Sequence, residues 1–300
     1  GLEGKELAEM GDMAEAGVVA FSDDGHYVEN AAFMRRALEY SSMFNKMVID
    51  HAEDITLTKN GHMHEGIVSY ELGVIGRPAV AEDLAVARDI LLSEMTGGHI
   101  HIAHVSSKNT VDMVRRAKAK GLNVTCEVTS QHLSFTDEYL REYNPAFKMA
   151  PPIRSEDHRQ ALLEGLKDGT IDAIITDHAP HAYEEKDHEF CCAPNGFSGL
   201  ETSLAAVITN AYGPDKLSID QVVYYMSTRP AELMHLDAGV LEVGKPADIT
   251  VFSTTEKWTV DRNKFYTKGK VSPFDGMTVT GKAKLTVVDG KIVMKEGVVL

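Results

Sequence analysis

Cysteine, positive charge and long apolar runs are all scarce in this sequence. It has only 3 cysteines, two of them adjacent (Cys191 and Cys192), so a disulfide framework is excluded and a reducing cytoplasm is the expected location. Lysine and arginine number 30 against 45 acidic residues, and the net charge of −15 argues against nucleic acid or anionic lipid as the main partner. No apolar run approaches the roughly 20 residues of a membrane-spanning helix.

What the sequence does contain is a regular alternation of strand-like and helix-like patterns. With 300 residues, 43% of them hydrophobic, the chain can bury one large domain and a small one. Strands are expected at 18–22, 47–50, 100–105, 124–128, 147–150 and 173–176. Helical patterns lie between and after them, at 30–43, 81–95, 109–119, 136–143, 156–166, 199–211 and 219–227. This alternation predicts an α/β fold with parallel strands.

The character of the sequence changes after about residue 235. Short alternating strands separated by Gly, Asp-Gly and Lys-Gly turns replace the helices, and Asp289-Gly290 is a hairpin signal. We therefore expect an α/β domain over 1–235 and a small β-sandwich-like domain over 236–300.

Four of the predicted strands close on histidine or aspartate, in the strings "AFSDDG", "VIDHAED", "HIAHVSS" and "IITDHAPH". In an α/β barrel the carboxyl ends of the strands surround one mouth, where active sites are built. Side chains alternate between the two faces of a strand, and this alternation supports the placement because each polar residue shares a face with apolar ones. The sets are Ile100 and Ile102 with His104, Ala173 and Ile175 with Asp177, and Met47 and Ile49 with His51. Converging imidazoles and carboxylates favour a divalent transition metal, most often zinc.

The strings "FSDDG", "HAED", "HVSS", "TCEVTSQHL", "KMAPPIR", "TDHAPH", "GLET" and "SPFDG" occur in this order over essentially the whole chain. In this combination the chain resembles bacterial type I dihydroorotases of the amidohydrolase superfamily. The resemblance implies a zinc-bearing (β/α)8 TIM barrel that interconverts (S)-dihydroorotate and N-carbamoyl-L-aspartate in de novo pyrimidine biosynthesis. It also implies a homo-oligomer, and aspartate transcarbamoylase as a partner protein.

The resemblance carries metal roles over to matching positions. Asp24 would bridge two zinc ions, with Asp23 as its neighbour on the opposite face. His51 and His104 would complete one site. Asp177 would bind the other ion and shuttle the proton from metal-bound hydroxide to the leaving nitrogen. A carboxylated lysine, which related hydantoinases place at the bridging position, has no counterpart beside Asp24, and this favours a dihydroorotase.

Substrate contacts are implied in the same way. His181 would touch the substrate, and the backbone at Asn195 and Gly196 would close over it. Ala150 stands where the family often has asparagine, so the side-chain hydrogen bond expected there cannot form. Gln131 replaces a commoner histidine.

The family's His-x-His pair, which ends its first barrel strand, has no good counterpart here. His62 and His64 lie in a glycine-flanked loop after "FSDDG", and the period of two puts His99 and His101 on the face opposite His104. With about six barrel strands visible, we expect a barrel that lacks its first strands. Alone, the chain is expected to lack hydrolase activity, or to recover it only when an N-terminal segment is supplied.

Two other readings stay open. One is another cyclic amidase, an allantoinase or a hydantoinase-like enzyme, and substrate profiling would distinguish it from a dihydroorotase. The other is a non-catalytic dihydroorotase-like scaffold that supports a transcarbamoylase, which metal content tests.

Overall fold

The fold is given by a computed structural model that describes residues 2 and 4–300. Its strands are β1 Ala20–Ser22, β2 Met47–Asp50, β3 Met63–His64, β4 Gly76–Arg77, β5 Ile100–Ile102, β6 Val124–Thr129, β7 Ala173–Ile175, β8 Ile249–Thr259, β9 Thr278–Val288, β10 Lys291–Lys295 and β11 Val298–Val299. A parallel sheet has the order β1-β2-β5-β6-β7, and β3 pairs with β4. The α/β prediction is therefore confirmed.

Eleven α-helices connect and cover these strands in the described part of the chain. They are α1 Met10–Glu15, α2 Ala31–Ser42, α3 Ile55–Thr58, α4 Ile67–Leu72, α5 Val80–Thr96, α6 Lys108–Ala119, α7 Glu156–Lys167, α8 Tyr183–Lys186, α9 Ser203–Asn210, α10 Ile219–Val223 and α11 Arg229–Leu233. Short 3₁₀ turns occupy Asp137–Leu140, Pro145–Phe147, Leu200–Thr202 and Arg262–Lys264, and Tyr224–Thr228 is π-helical. None of the described helices combines the length and apolarity that crossing a membrane requires.

The main core lies between the parallel sheet and its helices. Strand residues such as Ile100, Ile102 and Cys126 pack with Val86 of α5 and Val111 of α6, and all five are buried. Burying a side chain of this size stabilises the fold by about 1.5–3 kcal/mol. This packing holds the sheet rigid, so that the loops at its carboxyl edge start from fixed positions.

The prediction of a strand at 147–150 is wrong. Pro145–Phe147 is a 3₁₀ turn, capped by the Asn144 side chain on the Ala146 amide, and 148–150 is irregular. Proline cannot donate to a sheet ladder, and Pro145 and Pro151 bracket this segment. The described parallel sheet thus has five strands, and the count of eight for a complete barrel stays a prediction.

The side-chain faces predicted for β5 are also wrong. Ile100 and Ile102 belong to the helix-facing core, whereas His101 lies on the other face and reaches Thr125 Oγ1 at 2.8 Å. Regular strand geometry ends at Ile102, and His104 has a left-handed φ of +34°. The period of two does not continue through such a turn, so His104 can reach the mouth although Ile102 faces the helices.

The last 52 residues carry one antiparallel sheet of order β11-β10-β9-β8 rather than two packed sheets. The hairpin predicted at Asp289-Gly290 is confirmed, with left-handed φ values of +48° and +73°. The sheet rests on α9, where Thr209 Oγ1 accepts from the Thr280 amide at 2.8 Å. The domain boundary drawn at residue 236 stays a prediction.

We expect stability to fall in acid because of His132. This imidazole is buried, bonded to Thr129 Oγ1 at 2.9 Å and to the Pro151 carbonyl at 3.2 Å, and burial lowers its pKa to about 4. In the unfolded chain this imidazole has a pKa of about 6.5. Its contribution to the free energy of unfolding is therefore fully present above pH 6.5 and is lost as the pH falls towards 4. The free energy of unfolding is expected to fall by about 3 kcal/mol in all, and about 2 kcal/mol of this fall occurs by pH 5.

Urea unfolding at pH 7.5 and pH 5 checks this expectation. His132→Gln should remove about 2 kcal/mol of the pH dependence, whereas exposed His235→Gln should leave it unchanged. Equal pH dependence in the wild type and His132→Gln would contradict the assignment.

Candidate active site

The polar residues at the ends of the parallel strands meet at one edge of the sheet. Asp24 follows β1, His51 follows β2, His104 lies two residues after β5, and Asp177 lies two residues after β7. Parallel strands place their carboxyl ends on the same side, which is why residues so distant in the chain converge. All four line one cleft of about 990 Å³.

Three of these residues form a compact donor cluster, hereafter the Asp24–His51–His104 cluster. The His51 Nδ1 atom lies 3.2 Å from Asp24 Oδ1 and 3.0 Å from His104 Nε2, and His104 Nε2 lies 3.4 Å from Asp24 Oδ1. Among residues 2 and 4–300, no other group of His, Cys, Asp and Glu has such metal-ligand spacing.

The charges and lone pairs of the cluster favour a proton or a metal ion at its centre. Hydrogen bonds from His104 and His51 hold the pKa of Asp24 well below its usual range. Burial alone would lower the pKa of His51, but Asp24 and Glu53 outweigh it and raise that pKa to about 9. Two ring nitrogens and a carboxylate oxygen pointed at each other repel unless a proton or a metal ion lies between them.

Glu53 and Arg77 belong to the site but were missed in the sequence. Glu53 Oε2 lies 3.9 Å from His51 Nε2, the ring nitrogen that faces away from the cluster, and 2.9 Å from Arg77 Nη1. A carboxylate on the far nitrogen of a ligating histidine fixes its tautomer and raises its basicity. Glu53 stands inside the "HAED" string, which was a signal for it; Arg77 lies in no motif and only the fold brings it here.

Arg154 and Glu82, also missed, hold the loop that carries His104. Their fully buried ion pair has a distance of 3.3 Å, and Arg154 Nε donates to Ser106 Oγ at 2.7 Å. Glu82 Oε1 accepts from the amides of Ser106 and Ser107 at 3.0 and 2.9 Å. The "PPIR" string contains Arg154, but its partner lies 72 residues earlier in the chain.

Asp177 also lines the cleft, partly exposed and outside the cluster. It has a left-handed φ of +40°, which turns the chain out of β7. Burial raises the pKa of its carboxyl group, and the negative charge of Asp24 adds to the rise against the lowering effect of the two imidazoles. A carboxyl group with this tendency can hold a proton and release it again.

The predicted substrate residues lie at or beside the cleft. Ala150, Asn195 and Gly196 line it, and Ala150 presents no polar side chain. His181 Nε2 donates to the Asn195 carbonyl at 2.7 Å, so the imidazole supports the turn that faces the cleft. Gly196 has a φ of +105°, and a Cβ there would lie 2.7 Å from Ala179 Cβ. Only glycine fits this turn.

The two His-x-His pairs lie outside the cluster. His64 is not in a loop as predicted: it lies in β3, with its Nδ1 3.3 Å from Arg154 Nη1. His99 and His101 both reach Thr125 Oγ1, and His101 Nε2 lies 3.1 Å from Glu127 Oε2. Neither pair adds a donor to the Asp24–His51–His104 cluster.

A parallel α/β sheet that ends in a cluster of imidazoles and a carboxylate is the architecture of a metal-dependent hydrolase. The amidohydrolase family model matches residues 3–293. Dihydroorotase from Syntrophus aciditrophicus is 48% identical over 98% of this chain and 69% of that protein, and dihydroorotase from Acetivibrio thermocellus is 47% identical over 100% of this chain and 70% of that protein. The chain therefore belongs to the amidohydrolase family and, within it, to the dihydroorotases.

Solved structures agree on the fold. L-Hydantoinase from Arthrobacter aurescens superimposes with a TM-score of 0.86 at 31% identity, over 97% of this chain and 68% of that chain. D-Hydantoinase from Thermus sp. superimposes with a TM-score of 0.84 at 23% identity, over 98% of this chain and 69% of that chain. The TIM-barrel-type amidohydrolase fold predicted from the sequence is thus confirmed.

Proposed function

We propose that the chain acts as a dihydroorotase, which interconverts (S)-dihydroorotate and N-carbamoyl-L-aspartate in pyrimidine biosynthesis, with the Asp24–His51–His104 cluster as its metal centre. The observation that carries the site assignment is the meeting of these three side chains, from three strand ends, at one point of the cleft. Relatives 47–49% identical over nearly the whole chain are dihydroorotases, which supports the substrate.

The cluster fits a tetrahedral ion. Ligand atoms at about 2.0–2.1 Å from zinc lie roughly 3.3 Å from each other in a tetrahedron. The three separations in the cluster, 3.0, 3.2 and 3.4 Å, are close to that value. We propose zinc as the metal. A second ion, sharing Asp24 and bound by Asp177, stays a prediction.

A bound divalent ion supplies Lewis acidity that polarises the scissile carbonyl and acidifies the attacking water. In the proposed reaction the oxygen of this water bonds to the ring carbonyl carbon and the carbon–nitrogen bond breaks. The Asp177 carboxylate takes a proton from the water and gives it to the leaving nitrogen. Its position in the cleft and its burial-raised pKa support this role.

Binding of the substrate is assigned to other residues that line the same cleft. We assign the turn at Asn195 and Gly196, braced by His181, to the cover over the substrate, with Ala150 as an apolar part of the lining. A homo-oligomer, an association with aspartate transcarbamoylase and a cytoplasmic location stay predictions.

Substrate profiling of the zinc-loaded protein tests the proposal, and turnover by this chain alone would contradict the expectation from the sequence that it lacks hydrolase activity. We expect kcat/KM for dihydroorotate to exceed that for hydantoin and allantoin by roughly 100-fold or more, because a site that pairs the substrate's polar groups rejects analogues that leave them unpaired. The structural similarity to L-hydantoinase makes hydantoin the sharpest comparison. A higher kcat/KM for hydantoin or allantoin would show that the chain is a different cyclic amidase. Absence of both bound metal and turnover would support a non-catalytic scaffold.

A further inference from the structure

Two lysines close to the cleft are buried without a compensating carboxylate. Lys148, in the "KMAPPIR" string, is 4% exposed, and Lys186, at the end of α8, is 3% exposed. In the part of the chain that the structure describes, neither side chain forms an ion pair with an acidic group. Burying an ammonium group is costly, so its hydrogen bonds must replace its hydration.

Lys148 uses all three of its ammonium protons on one loop. Its Nζ atom donates to the carbonyls of Phe190, Cys191 and Ala193 at 2.8, 3.0 and 2.7 Å. An ammonium group has three donors, so these three carbonyls use all of them, and the His62 Nδ1 atom is a more distant neighbour at 3.4 Å. The Phe190 ring lies 5.4 Å from the same nitrogen and adds a cation–π contact.

The next two carbonyls of the loop are held as well. Lys186 Nζ donates to the Pro194 carbonyl at 2.8 Å, and His181 holds that of Asn195 at 2.7 Å. Three consecutive carbonyls, from residue 193 to residue 195, are therefore each bound by a different side chain. The amide of Gly196 donates to the Lys148 carbonyl at 2.9 Å, which ties the loop to the segment that ends at Ala150.

These contacts fix the orientation of the turn that lines the cleft. With its carbonyls drawn towards the two lysines, the Asn195–Gly196 turn is held against the segment ending at Ala150 rather than free to sample other positions. We infer that Lys148 and Lys186 are positioning residues for substrate binding, which hold the 190–196 loop so that its Asn195–Gly196 turn covers the substrate. The inference rests on the proposed function for the identity of the substrate. The geometry of the loop does not depend on that function.

Lys148→Met and Lys186→Met, each close in length to lysine but without donors, test this inference in the zinc-loaded protein. We expect KM for dihydroorotate and its calorimetric Kd to rise roughly tenfold or more, because charge-assisted hydrogen bonds are lost, with a smaller change in kcat and unchanged zinc content. Lys186→Arg, which keeps the charge and the donors, should recover much of the binding. Lys167→Met, which removes an exposed ammonium from α7, is the matched control.

Hydrogen–deuterium exchange of the 187–197 amides gives a second readout that needs no substrate. Faster exchange in both methionine variants, confined to this segment, is the expected result, and Lys186→Met alone decides the outcome if Lys148→Met does not fold. Wild-type exchange together with wild-type Kd in the folded variants would overturn the inference. Failure of the wild-type protein to bind dihydroorotate would instead count against the proposed substrate, while exchange would still decide the role of the lysines.

Discussion

Replacing Asp177 by asparagine is expected to lower kcat for dihydroorotate hydrolysis by roughly 10²–10⁴-fold. Asparagine keeps the shape of the side chain and its contacts, but it can neither take a proton from the attacking water nor return one to the leaving nitrogen. Asp177 is the carboxyl group of the cleft for which burial and the nearby Asp24 charge raise the pKa, which suits it to exchange a proton with the substrate.

Initial rates and zinc content, measured on the same samples, separate this effect from loss of the metal. The Asp24–His51–His104 cluster should keep its ion in Asp177→Asn, so metal content should fall by one ion at most. Asp112→Asn, which removes a half-exposed carboxylate from α6, outside the cleft, should retain wild-type rates. A rate within tenfold of wild type would show that another group moves the proton.

The second large effect concerns the metal. His104→Ala is expected to weaken zinc binding by more than roughly 100-fold, because it deletes one of the three donors of the cluster. Glu53→Gln should weaken it by roughly 10–100-fold, because His51 then loses the carboxylate that faces its second ring nitrogen.

Competition titration against a chelator gives both affinities. The order of the two variants is informative: a direct ligand must matter more than the group that orients one. His235→Asn, at an exposed position with a left-handed φ of +55°, removes an imidazole outside the site and should bind zinc as the wild type does. Full zinc affinity in His104→Ala would refute the cluster as the metal centre.

Much of the site could be predicted because its residues are strand-terminal. A run of apolar or alternating residues that forms a strand is a local pattern. The residue at which the run ends can therefore be recognised from the sequence alone. Parallel order then places all such ends at one edge, which brought Asp24, His51, His104 and Asp177 to one cleft. The failure at 147–150 has a local cause as well, since the prolines that prevent a strand there were visible in the sequence.

The orientation of side chains beyond a strand end could not be predicted in this way. His104 and Asp177 both adopt left-handed backbone conformations, and a single such residue ends the alternation on which the face of β5 was predicted. The inner face assigned to Ile100 and Ile102 was wrong for this reason, and His101 proved to lie there instead.

The sequence by itself determined the α/β alternation, the C-terminal hairpin sheet and the identity of the residues that end the strands, because these depend on neighbours within a few positions. Only the tertiary structure decided that Arg77 holds Glu53, that Glu82 and Arg154 hold the loop after His104, and that Lys148 and Lys186 hold the loop over the cleft. Each of these contacts joins groups brought together by chain folding, and a charged residue carries no local sign of the partner that will compensate its burial.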